Sequence, residues 1–156
     1  TPQPHIPYDN IYMQNVKSGV VYVKEKGYEM KRGVLAIRNR LVLEAVTNAL
    51  KRAGFFVEKS SSQEPERILM LTNALAATNL VMDVTRSGDG TFDMRMNTTR
   101  EARRRNPEIK IALLCDNVSD ESSAYKVKCA KEDGSIDAFF YESVPSDYLA
   151  DAIDAL

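Results

Sequence analysis

Side chains able to carry chemistry are sparse in this chain, and their spacing narrows what they can do. The single histidine is His5, in a stretch with Pro2, Pro4 and Pro7, and the two cysteines, Cys115 and Cys129, form no C-x-x-C pair. A zinc site of the usual Cys/His type therefore lacks ligands. A mechanism that needs a core histidine as base lacks its base. Cys115, with no histidine or second cysteine close in sequence, reads as an inert, half-buried thiol. The remaining candidates stand at the ends of apolar runs. They are Arg38 and Asn39 after Val34-Leu-Ala-Ile37, Asp83 after Leu80-Val-Met82, Cys115 and Asp116 after Ile109-Lys-Ile-Ala-Leu-Leu114, and Glu142 and Ser143 after Ala138-Phe-Phe-Tyr141. A carboxylate so placed can cap the next turn or pair with a cation, and an Arg beside it supplies that cation. For Asp83 both readings stay open.

Those positions matter because of the elements around them. From Gly33 onward, short apolar runs alternate with amphipathic segments. Runs at 34–37, 55–57, 80–84, 109–115 and 138–141 read as buried strands. Leu41, Leu43, Val46, Ala49, Leu50 and Ala53 repeat near a 3.6-residue period, which predicts a helix over about 40–53. Further helices are predicted over 66–77, with Ser and Gln as caps and Pro65 at its first position, over about 93–105, over about 120–132, and from Pro145 toward the end. The result is a doubly wound α/β fold with a five-stranded parallel sheet. In such a sheet ligands bind beyond the carboxyl ends of the strands.

Residues 1–30 differ. A proline-rich start is followed by Asn10-Ile-Tyr-Met-Gln14 and Gly19-Val-Val-Tyr-Val-Lys24, which read as an N-terminal strand or hairpin arm turning at Lys26-Gly27-Tyr28. Residues 31–156 then form the main domain. Ile6-Pro-Tyr-Asp-Asn-Ile11 resembles a piece of LytTR-type DNA-binding strands, a match too short to carry a function.

Composition sets the broad class. Lys+Arg number 21 and Asp+Glu 22, so the net charge is −1. That balance argues against a domain built to coat nucleic acid or anionic membrane, so nucleic acid would enter only through a separate domain. No apolar run approaches the ~20 residues that span a bilayer. Two thiols without a disulfide framework suit a cytoplasmic protein. Ser87-Gly-Asp-Gly90 reads as a surface turn, since no G-x-x-x-x-G-K-[ST] is present. Arg86, Arg95, Arg100, Arg103, Arg104 and Arg105 read as one solvated cationic face. Met94 and Met96 beside it suit either core packing or an adaptable interface.

The stretch 31–156 resembles a response-regulator receiver domain of the CheY-like, flavodoxin-like fold. Asn79-Leu-Val-Met-Asp83 is similar to the strand that ends in the phosphoacceptor aspartate. Val34-Leu-Ala-Ile-Arg-Asn-Arg40 stands where receivers end a strand in two acidic residues. Asn106-Pro-Glu-Ile-Lys-Ile-Ala-Leu-Leu-Cys115 and Asp137-Ala-Phe-Phe-Tyr-Glu-Ser143 resemble the fourth and fifth strands. The resemblance implies strand order 2-1-3-4-5, with Asp83 as the phosphoacceptor equivalent. It also implies a degenerate pocket of Arg38, Asn39, Cys115 and Glu142. Receivers hold Mg²⁺ on acidic side chains; here a cation and an amide stand in their place, and Glu142 replaces the phosphate-pairing lysine. The expectation is a pseudo-receiver, not an enzyme, with no catalytic residue, metal or cofactor. It would work through protein partners, a histidine kinase or effector domain among them, or as a homodimer. A phosphorylatable receiver using Asp83 and a small flavodoxin-like ligand-binding domain or enzyme are the alternatives. Arg38 is expected to reach Asp83 or Glu142 across strands about 4.8 Å apart, at a strength near 1 kcal/mol for a half-open pair.

Overall fold

The computed structural model describes residues 11–17, 20–25 and 30–156. The chain divides into two units, Thr1–Met30 and Lys31–Leu156. In the first, β1 (Ile11–Lys17) and β2 (Val20–Glu25) pair antiparallel, with a bulge between Met13 and Asn15. The turn expected at Lys26-Gly27-Tyr28 and the proline-rich start lie outside the described residues.

In the second unit, strands β3 (Arg32–Ala36), β4 (Phe56–Lys59), β5 (Asn79–Asp83), β6 (Lys110–Cys115) and β7 (Ala138–Tyr141) form one sheet in the order β4-β3-β5-β6-β7. Every neighbouring pair is parallel. Counted within the sheet, that order is 2-1-3-4-5, as the resemblance implied. Four helices connect the strands, α1 (Arg40–Arg52), α2 (Pro65–Leu75), α3 (Phe92–Arg105) and α4 (Glu121–Glu132), and α5 (Ser146–Asp154) follows β7.

The central strands are apolar between their ends because both faces are covered. Along β3 and β5 alternate side chains enter opposite cores. Val34, Ala36, Leu80 and Met82 pack with Ile68, Ile111, Leu113 and Val127. Leu35 and Val81 pack with Val46, Leu50, Leu114, Leu149 and Ile153 on the other face. Each fully buried Leu or Ile stabilises the fold by about 1.5–3 kcal/mol relative to exposure.

Helix ends follow local chemistry, with three departures from expectation. Asn39, expected in the pocket, is the N-cap of α1; its Oδ1 accepts the N–H groups of Leu41 (3.0 Å) and Val42 (3.2 Å). That is the ordinary task of an Asn in this position. At α2, Pro65 does take the first helical position, but the cap residue is Glu64 and it makes no side-chain cap bond. The same helix stops at Leu75 because Ala76 turns left-handed, with φ of 50°. The Ser87–Gly90 turn contains a short 3-10 helix, Gly88–Gly90, leading into α3. Gly90 is required by closeness: a Cβ there would stand 2.5 Å from Thr85 Oγ1.

Candidate functional site

Strands β3 and β5 lie side by side, with Ala36 opposite Met82. The chain leaving β3 therefore passes the end of β5, and Asp83 meets Arg38 there. Asp83 is 1% exposed. Its Oδ2 accepts the main-chain N–H of Arg38 at 2.9 Å. Its Oδ1 accepts Nη2 of Arg95 at 3.0 Å.

Arg95 comes from the first turns of α3 and is 0% exposed. Its Nε donates to the carbonyl of Asp83 at 2.7 Å. Its Nη2 also donates to the carbonyl of Ala36 at 3.1 Å and to Oε1 of Gln63 at 2.5 Å. One guanidinium thus ties α3 to the ends of β3 and β5 and to the loop before α2. Burial pulls its pKa below the usual guanidinium value, and the Asp83 carboxylate opposes that pull. A buried charge is tolerated only when it is paired and hydrogen-bonded. Asp83 supplies the pairing, although Nη1 stays buried without a partner.

This geometry corrects two expectations. The contact between Arg38 and Asp83 runs through the main chain of Arg38. Its guanidinium makes no ion pair among the described residues and is directed toward the 3-10 turn, with Nη1 3.9 Å from where a Cβ on Gly88 would sit. The N–H of a residue leaving a parallel strand points along the sheet, toward the neighbouring strand. Its side chain is exposed. The cation in the pocket is Arg95, which therefore does not belong to a solvated cationic face. Other arginines of α3 are engaged elsewhere: Arg103 with Asp137, and Arg104 and Arg105 with Glu101. Met96 beside Arg95 is core, at 6% exposure.

The rest of the rim is acidic or inert. Glu142 is half-buried, and its carboxyl is held above the usual range by burial first and then by Asp83 and Asp116. Cys115 is fully buried, not half-buried as expected. Burial and then the Glu142 charge push its thiol up to about 11, and Sγ lies 3.8 Å from the Phe140 carbonyl. A protonated, enclosed thiol is unreactive. Asp116 caps its own loop, accepting the N–H groups of Val118 and Ser119 and the Ser119 hydroxyl.

The receiver resemblance implies Mg²⁺, and the residues can be tested against it. Mg²⁺ takes an octahedral shell of oxygens, with carboxylates among them. Here each Asp83 oxygen faces an N–H donor, and Arg95 adds a buried positive charge. No group of three or more His, Cys, Asp or Glu able to hold a metal occurs among the described residues. As they stand, these side chains do not fit the ion.

Sequence reasoning found Asp83, Arg38, Cys115 and Glu142 at the strand ends but missed Arg95 and Gln63. A signal for Arg95 exists: Arg95, Thr98, Thr99 and Ala102 share one buried stripe of α3, at the i, i+3, i+4, i+7 spacing of a core-facing face. For Gln63, a loop residue, there is no periodic signal.

No protein-family model and no curated protein matches this sequence. Solved structures do match. A response regulator from Thermotoga maritima is 18% identical, with a TM-score of 0.62, over 81% of this chain and 97% of that one. An orphan response regulator of H. pylori is 16% identical, with a TM-score of 0.60, over 80% and 94%. A CheY-like protein from Pseudomonas aeruginosa PAO1 is 17% identical, with a TM-score of 0.59, over 80% and 98%. This chain carries the receiver-domain fold.

Proposed function

We propose that residues 31–156 form a receiver-like signalling module that acts through protein contacts and transfers no phosphoryl group. One observation carries this reading: both oxygens of Asp83 are occupied, one by the Arg38 N–H and one by a buried guanidinium. A phosphoryl donor would have to displace that guanidinium from a fully enclosed position. The attacking carboxylate oxygens are the same atoms that hold it. Arg95 supplies from within the chain the positive charge that a bound cation supplies in a phosphorylatable receiver. Glu142, in the place of a phosphate-pairing lysine, would repel an incoming phosphoryl group.

On this reading the partners are proteins of a two-component-like or transcriptional pathway: a histidine kinase, an effector domain, or a second copy of the chain. The cytoplasm is the compartment that suits two free thiols. The test is incubation with acetyl phosphate and Mg²⁺, followed by intact mass. The mass is expected to stay unchanged. A gain of one phosphoryl group that vanishes in Asp83→Asn would replace this reading with that of a working phosphoacceptor.

A further inference from the structure

We propose that the face made by α3 and α4 is where two copies of this chain meet, about a twofold axis that sets each of these helices antiparallel to its own counterpart. The inference rests on the reading of a module that acts through protein contacts, and it names the partner and the surface.

The face exists because α3 and α4 are laid down side by side. Their flanking strands are parallel, so both helices run back from the carboxyl ends of the strands, and both pack on the same core. Between them lies an open groove of about 600 Å³, lined from within 92–100 on one side and 125–135 on the other. Met96 and Ala130 are buried at its floor, while Tyr125 at its rim is 68% exposed. An open aromatic beside an apolar floor, with charges around it, has the composition of a protein interface.

Charge selects the occupant. Asp93 and Arg100 both line the groove from α3, and Lys126 and Asp133 line it from α4 and its C-cap. Each acid stands seven residues from the base on its own helix, about two turns away along one face. Among the described residues none of the four makes an ion pair: Arg100 bonds the neutral Asn97, and Asp133 accepts the Ser135 N–H at 2.8 Å. Turned antiparallel, the pattern is self-complementary. Asp93 then faces Arg100 of the partner subunit, Lys126 faces Asp133 of the partner subunit, and the axis repeats both pairs.

Both sets of pairs demand the same axis. The midpoint of the α3 pair falls between Met96 and Asn97, and that of the α4 pair between Cys129 and Ala130. All four of these residues line the one groove, so the two midpoints are level across it. A small anion in the groove would satisfy Arg100 and Lys126 and leave both acids unpaired; a basic ligand would do the reverse. A second copy satisfies all four. Exposed pairs of this kind fix orientation more than they add affinity, and salt screens them.

Sedimentation velocity on the full chain, without phosphodonor or added metal, tests the contact. The parent chain should be dimeric at about 100 µM and low salt, and should dissociate as salt rises. Arg100→Asp alone and Asp93→Arg alone should each weaken the dimer at least about tenfold, because like charges then face each other across the axis. Both positions are exposed, so the fold should tolerate either change. An equimolar mixture of the two variants should recover the dimer, since each acid again faces a base. Cys129, beside the axis, should be linked to Cys129 of the partner subunit by a short bismaleimide, while the buried Cys115 is spared. A parent chain that stays monomeric overturns the proposal. So does a dimer that the single variants leave intact, or a mixture that fails to recover it. Should either variant lose its fold, Lys126→Asp and Asp133→Lys put the same question to α4. A monomer whose mass acetyl phosphate leaves unchanged refutes this contact and keeps the reading without phosphotransfer; a dimer that gains a phosphoryl group does the reverse.

Discussion

Helix α3 sends an arginine to an aspartate at each end of the sheet, and the two pairs live in different environments. Arg95 meets Asp83 at the carboxyl ends of the strands, with side-chain exposures of 0% and 2%. Two turns later Arg103 meets Asp137, just before β7, with exposures of 28% and 25%. Both pairs also bind main chain. Arg103 reaches the Gly134 carbonyl, and Asp137 Oδ2 accepts the Ile111 N–H at 2.8 Å. The chemistry is the same; the access of water is not. In the outer pair, water can replace a lost partner. In the inner pair a lost partner leaves a charge stranded in the core. The comparison shows why the inner pair, and not the larger number of surface arginines, governs the candidate site.

The largest effect is expected from Arg95→Met. It strands Asp83 and should cost about 3–5 kcal/mol in urea unfolding, the range for breaking a buried pair. Adding Asp83→Asn should recover part of that loss, because the stranded charge is then gone. A cost below about 1 kcal/mol would mean that water reaches Asp83 as freely as it reaches Asp137, and the contrast would collapse. Arg103→Ala should cost less, about 1 kcal/mol, as a partly open pair does. If it matched Arg95→Met, burial would not be the deciding variable.

Glu142 gives a smaller effect with a definite sign. Its folded carboxyl titrates above the ordinary carboxylate value. Between those two values the folded state binds more protons than the unfolded state, so stability falls as pH rises through that window. Glu142→Gln should therefore raise Tm at neutral pH and show no advantage at pH values below the ordinary carboxylate range. A constant difference at all pH values would assign the effect to packing instead of charge. Arg38→Ala should be the quietest change, with unfolding indistinguishable from the parent. Its bond to Asp83 is made by the main chain, which alanine keeps. A clear loss of stability would restore the Arg38 guanidinium to the pocket.

The alternation of strands and helices was legible in the sequence because each element carries its own periodicity. Asp83, Cys115 and Glu142 could be placed at strand ends because they follow apolar runs directly. Their order across the sheet came from resemblance. Elements were less legible at their edges: α2 was expected to continue to Ala77, but the left-handed Ala76 ends it at Leu75. No residue type announces that conformation, since alanine is the best helix former.

Hydrophobic patterning is enough to place the candidate groups near the strand ends, because it fixes where each strand stops. Which cation neutralises Asp83 was decided only by tertiary structure. Arg38 is the neighbour by strand order, yet the chain turns there into α1 and its side chain leaves the pocket. Arg95 lies on a helix full of arginines and is the one that is fully buried; Arg103 is half-buried and Arg100, Arg104 and Arg105 are exposed. A guanidinium buries itself where a carboxylate and several carbonyls converge to replace its water. That convergence joins β3, β5, α3 and the loop at Gln63, segments far apart in sequence, and it exists only once they are packed together.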